Sequence, residues 1–382
     1  MLTRQHSRFS LPLGITYLNC AYMSPLMKQV EQAGIDGLKA KRNPTRISSQ
    51  DFFSQGNLLR REFARLIGLK DHQRVAIVPS VSYGLANVTN NITLRPSEKV
   101  IVLAEQFPSN YYPWQRLCHD SRARLVVVPP GQSARRGKAW NERILEAIDN
   151  RTRVVALGHV HWADGTLFDL KAIRKRSQEA GALLVIDGTQ SVGALPLDVK
   201  QIQPDALVCG GYKWLMGPYA IGLAYYGPYF DKGKPIEENW INRLNSEDFT
   251  GLVNYESDYQ PGALRYDVGE RSNFILAPMM LAALRQINIW KPKSIQTYCD
   301  HITRKGIALL RSKGFWIEED ACRAHHLFGI RPPSGVTMKN VRANLKKNHI
   351  AVSFRGDAIR VSPHLYNQEK DILKLANTLV VS

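Results

Sequence analysis

The stretch LLVIDGTQSVGA at residues 183–194 begins as a short apolar run and continues into a turn-rich sequence that opens with Asp187. The stretch ALVCGGYKWLMGP at residues 206–218 repeats this arrangement, with an apolar run followed by glycines and then Lys213. Short β-branched runs bounded by glycine predict buried strands. A carboxylate and an amine are therefore expected at the tips of two successive strands.

The same strand-then-helix rhythm extends over the first two thirds of the chain. The predicted strands cover residues 74–78, 99–103, 123–128, 152–157, 182–186, 206–208 and 221–225. Their apolar residues are nearly continuous rather than alternating, which is typical of strands buried on both faces of a mostly parallel sheet. The sequence therefore predicts an α/β fold in which helices flank this sheet, with a ligand crevice at the carboxyl ends of the strands.

A different pattern follows the predicted sheet. Residues 229–269 are rich in glycine, proline and asparagine, and a long helical pattern runs over residues 273–290. Beyond it we predict a helix at 295–313, strands at 314–318, 326–331, 350–354 and 358–361, and a closing helix after residue 367. This pattern indicates a smaller α+β domain. We predict a large domain at residues 22–265 and a small domain made of residues 1–21 plus 266–382.

Composition and charge limit the classes of partner. The 51 lysines and arginines exceed the 33 acidic residues by 18 in a chain of 382 residues. These basic residues are scattered rather than gathered into one stripe, so the charge favours an anionic small molecule over nucleic acid. The most extended uncharged stretch, residues 75–94, contains a proline and many polar residues, and we therefore expect no membrane span.

The cysteines indicate a reducing compartment. The chain has five, an odd number, and none forms a C-x-x-C pair. This usage predicts free thiols and a cytoplasmic protein. The pair His159 and His161 could suggest a metal, but no cluster of further ligands accompanies it in the sequence, so we predict no metal site.

The residues that follow the predicted strands carry different chemical groups. Ser82 follows the first strand and Phe107 the second, while residues 159–162 follow the strand at 152–157. Asp187 and Lys213 complete the series. Because the carboxyl ends of parallel strands meet at one edge, these groups are expected to converge on one site.

Together these motifs resemble the class V aminotransferase family. The resemblance extends from YLN at residues 17–19, through the two stretches quoted above, to RVSPHLYN at residues 360–367. It implies an aspartate-aminotransferase-like fold, pyridoxal 5'-phosphate as cofactor, an amino acid as substrate and a homodimer with shared active sites.

The resemblance implies roles for residues around the cofactor ring. Lys213 matches the Schiff-base lysine, which would then act as general base at Cα. Asp187 matches the carboxylate that keeps the pyridine nitrogen protonated, and both residues are predicted to be catalytic. Gln190 matches the position that contacts the phenolic oxygen.

Other positions match the phosphate loop and the stacking group. Val81 and Ser82 match the strand-to-helix turn that binds phosphate, and Tyr212 resembles a tyrosine that adds a hydroxyl there in kynureninase-like proteins. Phe107 matches the aromatic residue stacked above the ring. Trp162 stands on the loop that approaches the cofactor in relatives, at a position where cysteine desulfurases have asparagine.

The substrate contacts rest on the same resemblance. Arg360 matches the arginine that holds the α-carboxylate, for which a guanidinium is well suited. We also assign His161, on the loop with Trp162, to substrate binding.

The reaction remains open among several outcomes at Cα. Cysteine desulfurases carry a nucleophilic cysteine before the substrate arginine, whereas residues 353–358 read SFRGDA. Persulfide formation is therefore disfavoured, although direct C–S elimination needs no such thiol. We predict aminotransferase or lyase chemistry, with an amino-acid epimerase as one alternative. A pyridoxal-phosphate-binding regulatory protein with nucleic-acid affinity is the alternative from another class.

Overall fold

The computed structural model describes residues 2–131 and 135–381. Its strands are β1 Thr16–Tyr17, β2 Val75–Val78, β3 Lys99–Leu103, β4 Arg124–Val128, β5 Thr152–Gly158, β6 Leu183–Asp187, β7 Ala206–Gly210, β8 Gly222–Tyr226, β9 Phe328–Ile330, β10 Ile350–Ala351, β11 Ser353–Arg355 and β12 Ala358–Val361. Its α-helices are α1 Lys28–Ala40, α2 Asp51–Leu66, α3 Val81–Asn90, α4 Tyr112–Asp120, α5 Arg136–Ala147, α6 Leu170–Glu179, α7 Val199–Ile202, α8 Leu276–Trp290, α9 Pro292–Ser312, α10 Met338–Lys347 and α11 Glu369–Val380.

One seven-stranded sheet contains all the strands predicted for the first two thirds of the chain. Its order is β2-β8-β7-β6-β5-β3-β4. The strands β4, β3, β5, β6 and β7 run parallel to one another, and β8 runs antiparallel to both β7 and β2. The prediction of a mostly parallel sheet is confirmed.

Both faces of this sheet are buried. In β6, Leu184 and Ile186 join one hydrophobic cluster, while Leu183 and Val185 join a second cluster on the opposite face. Successive side chains of a strand point to opposite faces, so a strand covered on both sides must be apolar throughout. Polar residues are accordingly confined to the strand ends.

The last third of the chain forms a second, smaller sheet. Strands β11, β12 and β9 form an antiparallel sheet in that order, and β1 pairs with β10 in parallel. The N-terminal strand β1 thus pairs with a strand from the C-terminal third of the chain. The strands of the two larger sheets lie within residues 75–226 and 328–361, and we keep residues 22–265 and 1–21 plus 266–382 as proposed domain limits.

One predicted strand is wrong. Residues 314–318 form only an isolated antiparallel bridge between Trp316 and Arg331. Pro333 would face the start of this strand and has no N–H to offer, and the Gly329 N–H donates instead to the Asp164 carbonyl at 2.8 Å. The ladder therefore cannot extend in either direction.

Among residues 2–131 and 135–381, no helix is both long and apolar enough to cross a membrane.

Candidate active site

A cavity of about 270 Å³ lies at the carboxyl ends of β5, β6 and β7, and we call it the inner cavity. The first turn of α3 closes one side. Nine residues singled out from the sequence line it: Val81, Ser82, Phe107, His161, Trp162, Asp187, Gln190, Tyr212 and Lys213. The convergence expected from the strand ends is therefore present in the structure.

Lys213 is buried in a pocket that disfavours its charged form. The residue is 7% exposed, and burial lowers the pKa of its ammonium to about 8. Asp187 acts in the opposite direction, and Arg360 and Arg355 add to the lowering. A sizeable neutral fraction near pH 7 makes this amine a competent nucleophile and base.

Asp187 ends β6 and opens on the inner cavity. Its Oδ1 accepts a hydrogen bond from the Thr189 N–H at 2.9 Å. Burial nevertheless raises the pKa of the carboxyl, with the Thr189 hydrogen bonds and the charge of Lys213 opposing that rise. A carboxylate in this environment is stabilised when a cation lies beside it.

Gln190 is held in one orientation. Its Oε1 accepts from Trp214 Nε1 at 2.8 Å, and Nε2 donates to the Ala21 carbonyl at 3.2 Å. Because the indole N–H can only donate, the amide cannot be flipped, and its NH₂ group stays on the opposite side. His326 Nε2 fixes the backbone by bonding the Gln190 carbonyl at 2.8 Å.

The start of α3 offers donors to an anion. Ser80 caps this helix, its Oγ accepting from the Tyr83 N–H at 3.1 Å, and it also lies 3.0 Å from Ser82 Oγ. The first N–H groups of an α-helix have no acceptor within the helix, and those of Val81 and Ser82 stand at this position. Tyr212 lines the same cavity.

Aromatic rings form another wall. Phe107 and Trp162 meet edge to face with centroids 5.4 Å apart. Lys213 Nζ lies 5.3 Å from the centroids of both Phe107 and Tyr212. Trp162 Nε1 donates to the Glu105 carbonyl at 2.6 Å, which fixes the indole.

His161 is tied to the protein through both ring nitrogens. Its Nδ1 lies 2.9 Å from Asp164 Oδ1 and its Nε2 lies 3.2 Å from the Glu105 carbonyl. Asp164 is fully buried and also pairs with Arg136 and Arg331. In this arrangement His161 holds the loop that carries Trp162, and neither nitrogen is free to contact a substrate.

Arg360 lies in a second, adjoining cavity of about 280 Å³, the outer cavity. The two cavities share Phe107, Trp162, Tyr212, Lys213 and Tyr219. Arg360 is 1% exposed, and its Nη1 donates to the Trp162 carbonyl at 2.9 Å. Its buried Nε has no hydrogen-bond partner among the described residues, and burial lowers its pKa to about 9.

The cysteines lie outside both cavities. Cys20, Cys118, Cys209 and Cys299 are buried, and the partly exposed Cys322 lines a separate cavity on the other side of Phe168. His159 also faces that separate cavity rather than the inner one. Among the described residues, no three His, Cys, Asp or Glu side chains are grouped to hold a metal.

Several residues of the site have no role in the sequence analysis. Thr189 Oγ1 accepts from the Gly210 N–H at 3.1 Å and so joins the ends of β6 and β7. Trp214 orients Gln190, and Arg355 lines the outer cavity beside Arg360. Trp214 and Arg355 both stand inside the motifs quoted above, and that proximity is the signal from which they could have been found.

Four features fit an amino-acid enzyme with a carbonyl cofactor. They are a buried amine, a carboxylate at the neighbouring strand end, a helix N-terminus and a buried guanidinium whose Nε has no hydrogen-bond partner among the described residues. The model of the family named Aminotransferase class-V matches residues 25–237. The chain belongs to this family. The predicted family and α/β fold are confirmed.

Sequence similarity to two relatives supports this family assignment. The chain is 30% identical to an uncharacterized aminotransferase, YcbU, of Bacillus subtilis over 82% of this chain and 80% of YcbU. It is 31% identical to a probable cysteine desulfurase of Methanothermobacter thermautotrophicus over 80% and 78% of the two chains.

A solved structure gives the same fold. A mutant of C-DES, with glycine covalently linked to its pyridoxal-phosphate cofactor, superposes with a TM-score of 0.86 at 18% identity and covers 99% of both chains. This agreement concerns the fold. The family and its aminotransferase and cysteine desulfurase relatives make the chain a pyridoxal-phosphate-dependent enzyme with aminotransferase or lyase chemistry at Cα.

Proposed function

We propose that Lys213 holds pyridoxal phosphate in the inner cavity and that Asp187 and Gln190 bind the ring. The residues fit the group: Lys213 is an amine of lowered pKa, and Asp187 is a carboxylate whose burial favours a cationic neighbour. The fixed amide of Gln190 suits an oxygen that bears negative charge. When bound, the cofactor supplies an electron sink for negative charge developed at Cα.

The remaining contacts follow from the walls of the inner cavity. The N-terminus of α3, through Val81 and Ser82, would hold the phosphate, and the hydroxyl of Tyr212 would join it. Phe107 would cover the ring and exclude water, with Trp162 packed against it.

Lys213 would also move the proton at Cα. Its Nζ, once released by the incoming amino group, is the base that takes the Cα proton and the acid that returns it. A pKa of about 8 in the cofactor-free protein supports this role, because catalytic groups work best with a pKa near the working pH.

Arg360 would bind the substrate's α-carboxylate. The outer cavity opens directly onto Lys213, and the unpartnered Nε of Arg360 offers an additional donor there. We propose that His161 acts through Trp162 as a positioning residue, since its own nitrogens are occupied.

The positions of the cysteines narrow the reaction. None of the five lines the inner or the outer cavity, so no thiol of this chain is placed to accept sulfur. We therefore propose transamination or direct elimination, including C–S cleavage, rather than persulfide-forming desulfuration. The alternatives are epimerisation and a nucleic-acid-binding regulator. Product analysis tests the first, and a salt titration of nucleic-acid binding tests the second.

We further propose a homodimer in the cytoplasm. A groove near Gly269 and Glu270 is bordered by the exposed apolar side chains of Leu38, Trp240 and Ile275, which suits a second copy of the chain. The five free cysteines support a reducing compartment.

The convergence of Lys213, Asp187 and Arg360 on two adjoining cavities is the observation that carries the proposal. Borohydride reduction of the purified protein should leave the cofactor covalently bound to Lys213, as detected by peptide mass spectrometry. Lys213→Ala should abolish the adduct, whereas Lys232→Ala, which removes an exposed lysine, should retain it. An adduct on another residue would contradict the assignment.

Product analysis distinguishes the reactions. Candidate amino acids are incubated with the reconstituted enzyme, and keto acid, ammonia and sulfide are measured. A keto acid that forms only when a second keto acid is present to accept the amino group indicates transamination. Release of ammonia or sulfide indicates elimination. Racemised amino acid without either would support the epimerase.

A further inference from the structure

We propose that Arg355 binds a second anionic group, so that the substrate is an amino acid whose side chain ends in a carboxylate or a sulfinate. This inference rests on the proposed role of Arg360 as the α-carboxylate ligand. It names the substrate class of the outer cavity, which the family alone leaves open.

The backbone places the two arginines on one face of a hairpin. Ser353 pairs with Arg360 and Arg355 pairs with Ala358 across β11 and β12. Residues two apart on a strand point to the same face, so Arg355 and Arg360 are diagonal neighbours. The hairpin turns at Gly356, whose φ of 57° is accessible to glycine at little cost.

The side chain of Arg355 points into the outer cavity. Its guanidinium carbon lies 5.3 Å from the centroid of the Trp162 ring, and Nη1 donates to the Phe354 carbonyl at 2.7 Å. Its buried Nε, like that of Arg360, has no hydrogen-bond partner among the described residues. Stacking on an aromatic face holds a guanidinium in place and leaves its edge free to donate.

No described carboxylate neutralises this pair. The acid on the hairpin, Asp357, binds Arg331 at 3.1 Å and does not line the outer cavity. Burial lowers the pKa of Arg355, and Arg355 in turn helps to lower the pKa of Arg360. A buried cation, Arg360, and a partly buried one, Arg355, that destabilise each other favour a ligand with two anionic groups.

The guanidinium geometry favours an anion with two acceptor oxygens over a single point of negative charge. A guanidinium matches a carboxylate or a sulfinate by donating two parallel hydrogen bonds. With Arg360 on the α-carboxylate and Lys213 beside the same cavity, Arg355 is left for the end of the side chain. A hydrophobic side chain would partly desolvate Arg355 without offering it an anionic partner, which disfavours apolar amino acids.

The test measures binding without turnover. Isothermal titration calorimetry of the holoenzyme compares succinate and glutarate with propionate, none of which carries an amino group. We expect at least one diacid to bind roughly 10- to 100-fold more tightly than propionate, the range for a hydrogen bond to a charged group. Arg355→Gln should reduce the diacid to the affinity of propionate and leave propionate within about threefold.

Matched variants separate charge, geometry and fold. Arg342→Gln removes an arginine from the same small domain, stacked on Phe354 outside the cavity, and should preserve the diacid advantage. Arg355→Lys keeps the charge without the fork and should restore part of the advantage, which also shows that the position tolerates substitution. Arg360→Gln should weaken both classes of acid.

The outcomes separate this inference from the proposed function. Equal affinities of diacids and propionate in the wild-type protein, or a diacid advantage that survives Arg355→Gln, would overturn the role of Arg355. Either result leaves the borohydride adduct on Lys213 untouched. Loss of that adduct would instead refute the proposed cofactor site, whatever the acids do.

Discussion

The amine of Lys213 is expected to be unusually reactive at neutral pH in the cofactor-free protein. Burial lowers its pKa from 10.5 to about 8. At pH 7 the neutral fraction then increases from about 0.03% to about 9%, which is roughly a 300-fold gain in reactive amine. The substitution Asp187→Asn tests how charge and burial together set the pKa of Lys213, because the negative charge of Asp187 opposes the lowering of this pKa by burial.

Competitive labelling measures this gain. The cofactor-free protein is treated with limiting acetic anhydride over a series of pH values, and each lysine-containing peptide is quantified by mass spectrometry. The labelling of Lys213 should reach half its maximum near pH 8, and Asp187→Asn should move that midpoint to lower pH. The exposed Lys232 reports the behaviour of a solvated amine in the same sample.

Two results would refute the reasoning. One is a Lys213 midpoint that coincides with that of the solvated amine, which would mean that burial does not control its pKa. The other is a midpoint that rises in Asp187→Asn, which would mean that the carboxylate does not stabilise the ammonium. Asp231→Asn removes an acid that pairs with Arg74 away from the cavities, and it should leave the midpoint unchanged.

Three further predictions concern the support of the site. Asp164→Asn should cost about 3–5 kcal/mol in urea unfolding, because it removes a fully buried carboxylate that His161, Arg136 and Arg331 share. Asp357→Asn removes an exposed partner of the same Arg331 and should cost at most about 1 kcal/mol. Trp214→Phe removes the donor to Gln190 Oε1, so we expect a loss of about 1–3 kcal/mol and faster release of the cofactor, followed by its absorbance after dilution. Three buried histidines have pKa values lowered by burial to between about 3 and about 4, below their unfolded value of 6.5. Because only the unfolded chain gains their protons as the pH falls through 6.5, stability should fall by about 1.3 kcal/mol for each between pH 7 and pH 5.5, as urea unfolding at the two pH values would show. They are His159, His326 and His364.

The sequence predicts the main sheet well because burial on both faces forces its strands to be continuously apolar. Asp187 and Lys213 could then be placed together from their positions at neighbouring strand ends, with no contact known in advance. The prediction of a strand at 314–318 is wrong for a reason that lies outside these residues. Its pairing depends on Pro333 and on an N–H that Gly329 gives to Asp164.

The orientation of side chains could not be predicted from strand ends. His161 and His159 alternate along one short segment, yet His161 lines the inner cavity and His159 faces the separate one. That His161 uses both nitrogens within the protein depends on Asp164 and on the distant Glu105 carbonyl. Such partners are set by tertiary packing, which a local pattern does not encode.

Charge distinguishes the two cavities, and this difference explains how one fold can keep its cofactor while changing its substrate. The inner cavity offers a carboxylate, an amine and a helix N-terminus in succession, supplied by β6, the segment after β7 and the start of α3. Strands β6 and β7 belong to the sheet that is buried on both faces, and α3 follows the strand β2 of the same sheet. The outer cavity is completed instead by Arg355 and Arg360 from a hairpin of the smaller sheet. The hairpin does not line the inner cavity, and its influence on Lys213 is limited to the charges of Arg355 and Arg360, which help to lower the Lys213 pKa. If Arg355 and Arg360 bind the substrate as we propose, the hairpin selects the substrate and the sheet carries the common chemistry.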